Sequence, residues 1–271
     1  MAPVVVHVAP HPDDEAVGCP GALLHLRDRG WTVVSVIASL GFAGQHERRR
    51  AEAEEAARRS GFVPVFVDPP LNLDLDGDLD LASRRIAKEL PAIVIGHGAS
   101  IVVSPSPHDV HHGHEAVGRG VQRAMAVLPP ALRWWMWGVW GDLPAPNVFY
   151  GFDQKMLDRA LHLLDAYVGE LERNDYRPYL AGRASVNAVL GSERVFGFGS
   201  PAACDLPFAE VLTEVRLLDG RFMASQPHLL DEGGEPMLAY DVDLTAWLDS
   251  PSVHELVGYI REIRVIDEPA T

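Results

Sequence analysis

Residues 9–15 read Ala-Pro-His-Pro-Asp-Asp-Glu and directly follow the apolar run Val4-Val5-Val6-His7-Val8. One imidazole, His11, and two adjacent carboxylates, Asp13 and Asp14, thus stand on a turn that Pro12 stiffens. About a hundred residues on comes a second cluster, His108-Asp109-Val110-His111-His112-Gly113-His114. Catalytic zinc usually keeps three protein ligands and one open position for water. A tight turn can aim His11 and Asp14, three residues apart, at one ion. His114 is then the candidate third ligand. A His/Asp/His set suits zinc without excluding another divalent cation. Asp13, beside the ligands, can serve as general base toward an attacking water. His111 can sit across the substrate, stabilising an oxyanion or protonating a departing nitrogen. Asp109 is placed to orient His111. The remaining residues have plainer readings: His108 and His112 as loop or rim, His7 as a satisfied core histidine, Glu15 as an orienting or capping group.

These residues need a scaffold, and the first half supplies a rhythm of strands and helices. Val4–Val8, Thr32–Ala38, Val63–Val67 and Ile101–Val103 read as strands. Between and after them, Ala22–Arg29, Glu47–Ser60, Leu81–Gly96 and about 115–127 read as helices, with Gly30 and Gly61 as stops. This alternation predicts an α/β fold, a doubly wound, mostly parallel, Rossmann-like sheet. Ligands of such sheets bind outside the carboxyl ends of the strands, where both clusters fall. The second half is less regular. Four of the six tryptophans crowd into 134–140, readable either as core or as flat walls for a pocket. Phe152–Arg173 reads as one amphipathic helix, and Asp219-Gly220 between Val211–Leu218 and Arg221–Ala224 reads as a hairpin turn. One domain over 1–271 is expected, an α/β core over 1–140 and an extension over 141–271 that frames the pocket.

Composition narrows the partners. The chain has 271 residues, 47% apolar and 23% charged, with a net charge of −15. Such a surface repels phosphate backbones, so nucleic acid is not expected as a partner. No apolar stretch predicts a membrane span, and no basic-then-apolar leader is visible. Two cysteines do not make a disulfide framework, and a reducing cytoplasm is the expected location. A nucleotide-binding turn would need glycines after the first strand, where this chain has His-Pro-Asp-Asp.

The segment Ala9–Glu15 resembles the signature of the LmbE-like (PIG-L) family of zinc-dependent N-acetylglucosaminyl deacetylases. The similarity runs over about 4–125. Ser39–Gly44 is similar to that family's loop after the second strand, and Arg49, Glu52, Ala56, Ala57 and Gly61 fall at its helix spacing. Asp76-Gly77-Asp78-Leu79 resembles its Asp-Gly-x-Leu loop, and His111-His112-Gly113-His114 its His-x-x-His. The resemblance implies His11, Asp14 and His114 as zinc ligands, Asp13 as base and His111 as electrostatic or acid partner. It further implies Arg49 and Asp76 as sugar contacts. Departures are Cys19-Pro20-Gly21, Phe42 where an acidic residue is frequent, and His112-Gly113 in place of Pro-Asp. The last removes a carboxylate that often orients the catalytic histidine, a part then expected of Asp109. The tryptophan-rich segment and long second half resemble the glycopeptide-antibiotic branch, which deacetylates a teicoplanin-type pseudoaglycone. The expected substrate is therefore a small-molecule glycoside or glycopeptide. The alternatives are a smaller N-acetylglucosaminyl conjugate, such as a thiol precursor or oligosaccharide, or a non-catalytic, metal-containing sugar-binding module.

Overall fold

The computed structural model describes residues 2–73, 78–230 and 239–257. In chain order the elements are β1 Val4–Ala9, α1 Asp14–Val17, α2 Pro20–Asp28, β2 Thr32–Ile37, α3 His46–Ser60 and β3 Val63–Phe66. Next come α4 Leu79–His97, β4 Ile101–Pro105, α5 His112–Ala124, β5 Arg133–Trp137, β6 Val148–Phe152, α6 Gln154–Leu164 and α7 Val168–Arg173. The chain continues with α8 Arg177–Phe196, β7 Phe208–Leu218, β8 Arg221–Ser225, β9 His228–Leu229, β10 Tyr240–Asp243, α9 Thr245–Leu248 and α10 Val253–Val257.

The strands join in one sheet of order β10-β8-β7-β5-β4-β1-β2-β3, with β6 pairing β7 and β9. From β3 to β5 every pairing is parallel, as expected for an α/β crossover fold. Beyond β5 the pairings turn antiparallel, apart from the short parallel pairing of β6 with β9. Asp219 (φ 49°) and Gly220 (φ 76°) make the β7–β8 turn, whose two left-handed residues match strand twist.

Period-two alternation divides the core between the two faces of the sheet. On β5, Trp135 and Trp137 pack on one face with Leu23, Leu163 and Tyr167. Trp134 and Met136 pack on the other with Val102, Val117 and Ile86. Burying large aromatic and aliphatic side chains on both faces, at roughly 1.5–3 kcal/mol each, holds α2, α6, α4 and α5 to the sheet. Of the two readings of the tryptophan run, the core reading therefore holds for Trp134, Trp135 and Trp137; Trp140 alone of the four is exposed, at 52%, and lines the site cavity.

The expected single helix over 152–173 is also corrected. Phe152 ends β6, the Asp153 side chain accepts from Met156 N at 2.9 Å to start α6, and the chain breaks again at 165–167 before α7. The helix expected from about 115 begins at His112, so His114 stands in its first turn.

Strand order β3-β2-β1-β4-β5 places β1 and β4 side by side, with β2 and β5 flanking them. Chain connections leave in opposite directions from this point, which opens a crevice at the carboxyl ends of β1 and β4. Both chemistry-bearing clusters follow those two strand ends.

Candidate metal centre

At the end of β1 the backbone must turn sharply into α1. Asp13 takes φ 118°, ψ −22° there, a conformation rare outside glycine and tolerated best by Asp and Asn. The turn is closed by His11 N donating to Asp14 Oδ2 at 2.7 Å. His11 Nδ1 lies 3.5 Å from the same oxygen. Across the crevice, His114 Nε2 approaches Asp14 Oδ1 at 3.2 Å. One donor atom from each of His11, Asp14 and His114 lies within 4.8 Å of the others.

The donor set fits a divalent cation, and the surrounding hydrogen bonds say why. His114 Nδ1 is 2.7 Å from Asp109 Oδ2, which leaves Nε2 as the atom facing the crevice. Asp109 is itself buried, and its other oxygen accepts from Val139 N, Trp140 N and Gly141 N at 2.7, 3.0 and 3.0 Å. A carboxylate so held fixes both the tautomer and the ring plane of its histidine. Burial alone would strip His114 of charge, yet the carboxylates of Asp14 and Asp109 override it and lift its pKa to about 10. Asp14 is held well below the usual carboxylate range: burial opposes this, and the charges and hydrogen bonds of His114 and His11 prevail. A cation between these groups answers the same negative charge that the proton on His114 now answers.

This arrangement corrects the expected pairing of Asp109 with His111. His111 N donates to the Asp109 backbone carbonyl at 2.7 Å, and Val110 between them has φ 66°. That tight turn sends the Asp109 side chain away from His111 and toward His114, one helical step further on. His111 stacks instead on His112, ring centroids 4.4 Å apart, and meets His11 edge-on at 5.5 Å. Its pKa is pushed down by burial and then by the neighbouring His114, His11 and His112, so it is a neutral imidazole.

Asp13 is half-buried at the cavity wall. Exclusion of water, followed by the charges of Asp14 and Glu170, pushes its pKa well above the ordinary carboxylate value, with Arg49 acting against them. Arg49 is buried, donates to Pro12 O at 3.3 Å and pairs with Glu170 at 3.2 Å. Its Nε has no hydrogen-bond partner among the described residues. Glu170 also receives Arg173 at 2.8 Å. Asp76 lies outside the described residues.

His11, Asp13, Asp14, Arg49, His111 and His114 line one cavity of about 400 Å³. Within the usual 300–1,000 Å³ range for small-molecule sites, it suits one sugar and part of its substituent. A larger cavity, about 1020 Å³, lies against α4 and α5 and contains none of His11, Asp13, Asp14 or His114. Three residues that sequence reasoning missed also line the site: Glu170 and Arg173 on α7, and Tyr176 beside it. A short charged helix reads as a solvated surface until its partners across the chain are known. His7 sits in the core and accepts from Trp137 Nε1 at 3.2 Å, and Trp137 in turn meets His114 edge-on, centroids 5.3 Å apart. Glu15 is a buried acceptor for the Tyr167 hydroxyl. His108 is tied to the Trp247 carbonyl at 2.8 Å, out of the ligand set.

Among the described residues no helix is long and apolar enough to cross a membrane. A relative named probable N-acetyl-α-D-glucosaminyl L-malate deacetylase 2, from Bacillus cereus, is 29% identical over 143 residues, covering 46% of this chain and 62% of the relative. A diacetylchitobiose deacetylase from Thermococcus kodakarensis is 30% identical over 118 residues, covering 41% and 43%. The chain thus spans less than two thirds of the curated relatives it matches. Among solved structures, a deacetylase–teicoplanin complex from the biosynthesis pathway of teicoplanin superposes with a TM-score of 0.60 at 15% identity, covering 80% of this chain and 100% of that one. At that identity the likeness shows a shared fold. Residues 6–125, which hold both clusters and the β1/β4 crevice, match the GlcNAc-PI de-N-acetylase (PIG-L) family, and the resemblance first carried by His11, Asp13, Asp14, His111 and His114 is a resemblance to that family.

Proposed function

We propose that this chain is an amide hydrolase that removes the N-acetyl group from a glucosaminyl unit and releases acetate. The observation that carries the reading is the meeting of His11, Asp14 and His114 in one open cavity that Asp13 and His111 also line. A structural metal site is normally closed by four ligands, whereas three ligands beside a cavity leave room for water and substrate. Two imidazoles and one carboxylate favour zinc, with other divalent cations as substitutes. The cation's contribution when bound is Lewis acidity, which brings the pKa of water from about 15.7 toward 7.

The chain's own residues do the rest. Asp13, in its ionised form, accepts the proton of the attacking water as the water oxygen bonds to the acetyl carbon, and surroundings that raise its proton affinity make it a stronger base than a free carboxylate. His111, neutral and facing the cavity, donates an N–H to the carbonyl oxygen as negative charge develops there. Asp13 then returns its proton to the amide nitrogen, the carbon–nitrogen bond breaks, and acetate and a free amine leave. Arg49, with its free Nε and buried ion pair to Glu170, is placed to hold sugar hydroxyls. Asp76 is the second expected sugar contact.

What the glucosaminyl unit carries is the finer part of the reading. The fold likeness to the teicoplanin complex supports a glycopeptide pseudoaglycone. The names of the two relatives support a smaller conjugate. The test is acetate release by zinc-loaded protein from N-acetylglucosamine, diacetylchitobiose and an acetylated glycopeptide pseudoaglycone. Asp13→Asn keeps a residue type that tolerates the positive φ, so it should fold, retain metal and lose acetate release by at least about 100-fold. Ligand binding without acetate, with Asp13→Asn behaving as wild type, would instead establish a non-catalytic sugar-binding module.

A further inference from the structure

The cavity has two aromatic walls that the deacetylation chemistry does not use. Phe42 is 67% exposed and Trp140 is 52% exposed, and both line the cavity that holds His11, Asp13 and Asp14. Phe42 stands on the connection after β2 and Trp140 on the connection after β5. In the order β5-β4-β1-β2, those connections lie on opposite flanks of the β1/β4 crevice.

Exposure here does not mean a loose rim. Phe42 O accepts from Gln45 N at 2.8 Å and opens a turn of 3-10 helix, while Gly41 before it is anchored by Ser39 Oγ at 3.0 Å and by His46 Nε2 at 2.8 Å. Trp140 N donates to Asp109 Oδ1 at 3.0 Å, so the carboxylate that orients His114 also fixes the backbone of the tryptophan. The indole is stacked against His111, centroids 6.0 Å apart with 26° between planes. The indole is thereby held beside the His111 imidazole at the mouth of the site.

Two of the three arginines that line the same cavity are already answered, and the third, Arg49, is buried against Glu170. Arg48 donates to both oxygens of Glu52 at 2.8 Å, and Arg173 to Glu170 at 2.8 and 3.2 Å. An anionic substituent would have to compete with those carboxylates. A flat apolar substituent meets two aromatic surfaces that water now covers, which is favourable both for area buried and for ring stacking.

We propose that Phe42 and Trp140 form a subsite that takes a flat, apolar ring attached to the aminosugar, and that they set which conjugates this protein prefers. The inference rests on the aminosugar reading above for what enters the cavity. Its test is kept separate by using binding as the readout. Dissociation constants are measured by calorimetry for the phenyl, methyl and phosphate glycosides of N-acetylglucosamine, on metal-loaded wild type and on Trp140→Ala, Phe42→Ala and Phe198→Ala. Phe198 is 95% exposed and does not line the cavity. The phenyl glycoside should bind wild type at least tenfold more tightly than the methyl glycoside. Trp140→Ala and Phe42→Ala should each shrink that ratio by roughly three- to tenfold. Phe198→Ala should keep the wild-type ratio. Equal binding of phenyl and methyl glycosides by wild type, a preference for the phosphate, or a ratio untouched in both cavity variants would overturn the subsite. Acetate is assayed in the same samples. A phenyl preference without acetate refutes the hydrolytic reading and leaves the subsite standing, and acetate without a phenyl preference does the reverse.

Discussion

Asp109 decides how His114 is presented. With one oxygen on His114 Nδ1 and the other on three backbone N–H groups, its orientation is fully determined. Asp109→Asn keeps the shape but loses the anionic acceptor, and an amide that turns its NH2 toward Nδ1 selects the wrong tautomer. Metal affinity should fall about 10- to 100-fold, measured by competition with a chromophoric chelator. An affinity within twofold of wild type would show that the carboxylate is structural only. The ligand types themselves were legible in the sequence, because imidazole and carboxylate at turn spacing after an apolar run suit one chemistry. The partner of Asp109 was not legible. Proximity along the chain favoured His111, two residues away, and the positive φ of Val110 reversed that choice.

The elements that carry the ligands hold them through close backbone approach. Helix α5 brings His114 to the crevice by passing Gly118 against the chain after β4. A Cβ on Gly118 would lie 2.7 Å from Pro107 N and 2.9 Å from Pro105 O, backbone atoms with little freedom to yield. Gly118→Ala should therefore displace α5, cost about 1–3 kcal/mol in urea unfolding and weaken metal binding in parallel. Full stability with intact affinity would mean that α5 is not seated as described. Strands and helices of the first half were readable because most are single amphipathic or apolar runs, several of them bounded by Gly or Pro. Elements α6 and α7 were not, since apolar spacing continues through Asp165-Ala166-Tyr167. Only the capping role of Asp153 marked where α6 begins. Glu170 acquires its part through the ion pair to Arg49 of α3, more than a hundred residues away in the chain, and Arg173 through Glu170.

At the scale of the whole molecule, the sheet shields groups whose titration then reports on folding. His7 lies within β1, fully buried, and burial lowers its pKa from 6.5 to about 4, with Asp14 opposing. Between those two values the unfolded chain binds more protons than the folded one, so stability rises with pH across that window. The stabilisation from a neutral His7 is complete above about pH 6.5 and is lost as pH falls toward 4, a change of about 3 kcal/mol. Gln at this position can still accept from Trp137 Nε1 and does not titrate. His7→Gln should flatten the pH dependence of the urea midpoint between 4 and 6.5; a slope equal to wild type would assign the dependence to other groups. The same scale divides the tryptophan run between its two readings. Alternation on β5 turns a cluster of four into three core residues and one at the site, a division fixed by which strands flank β5.

All of this depends on one cation being held by residues from two distant segments. The most direct measurement is metal content by elemental analysis after loading with zinc and exhaustive dialysis, on wild type, Asp13→Asn and the pair His11→Ala and His114→Ala. About one zinc per chain in wild type and in Asp13→Asn, with nearly none in each histidine variant, is the expected result. Equal zinc in folded His11→Ala and His114→Ala proteins would contradict the account, because the two clusters would then not share an ion.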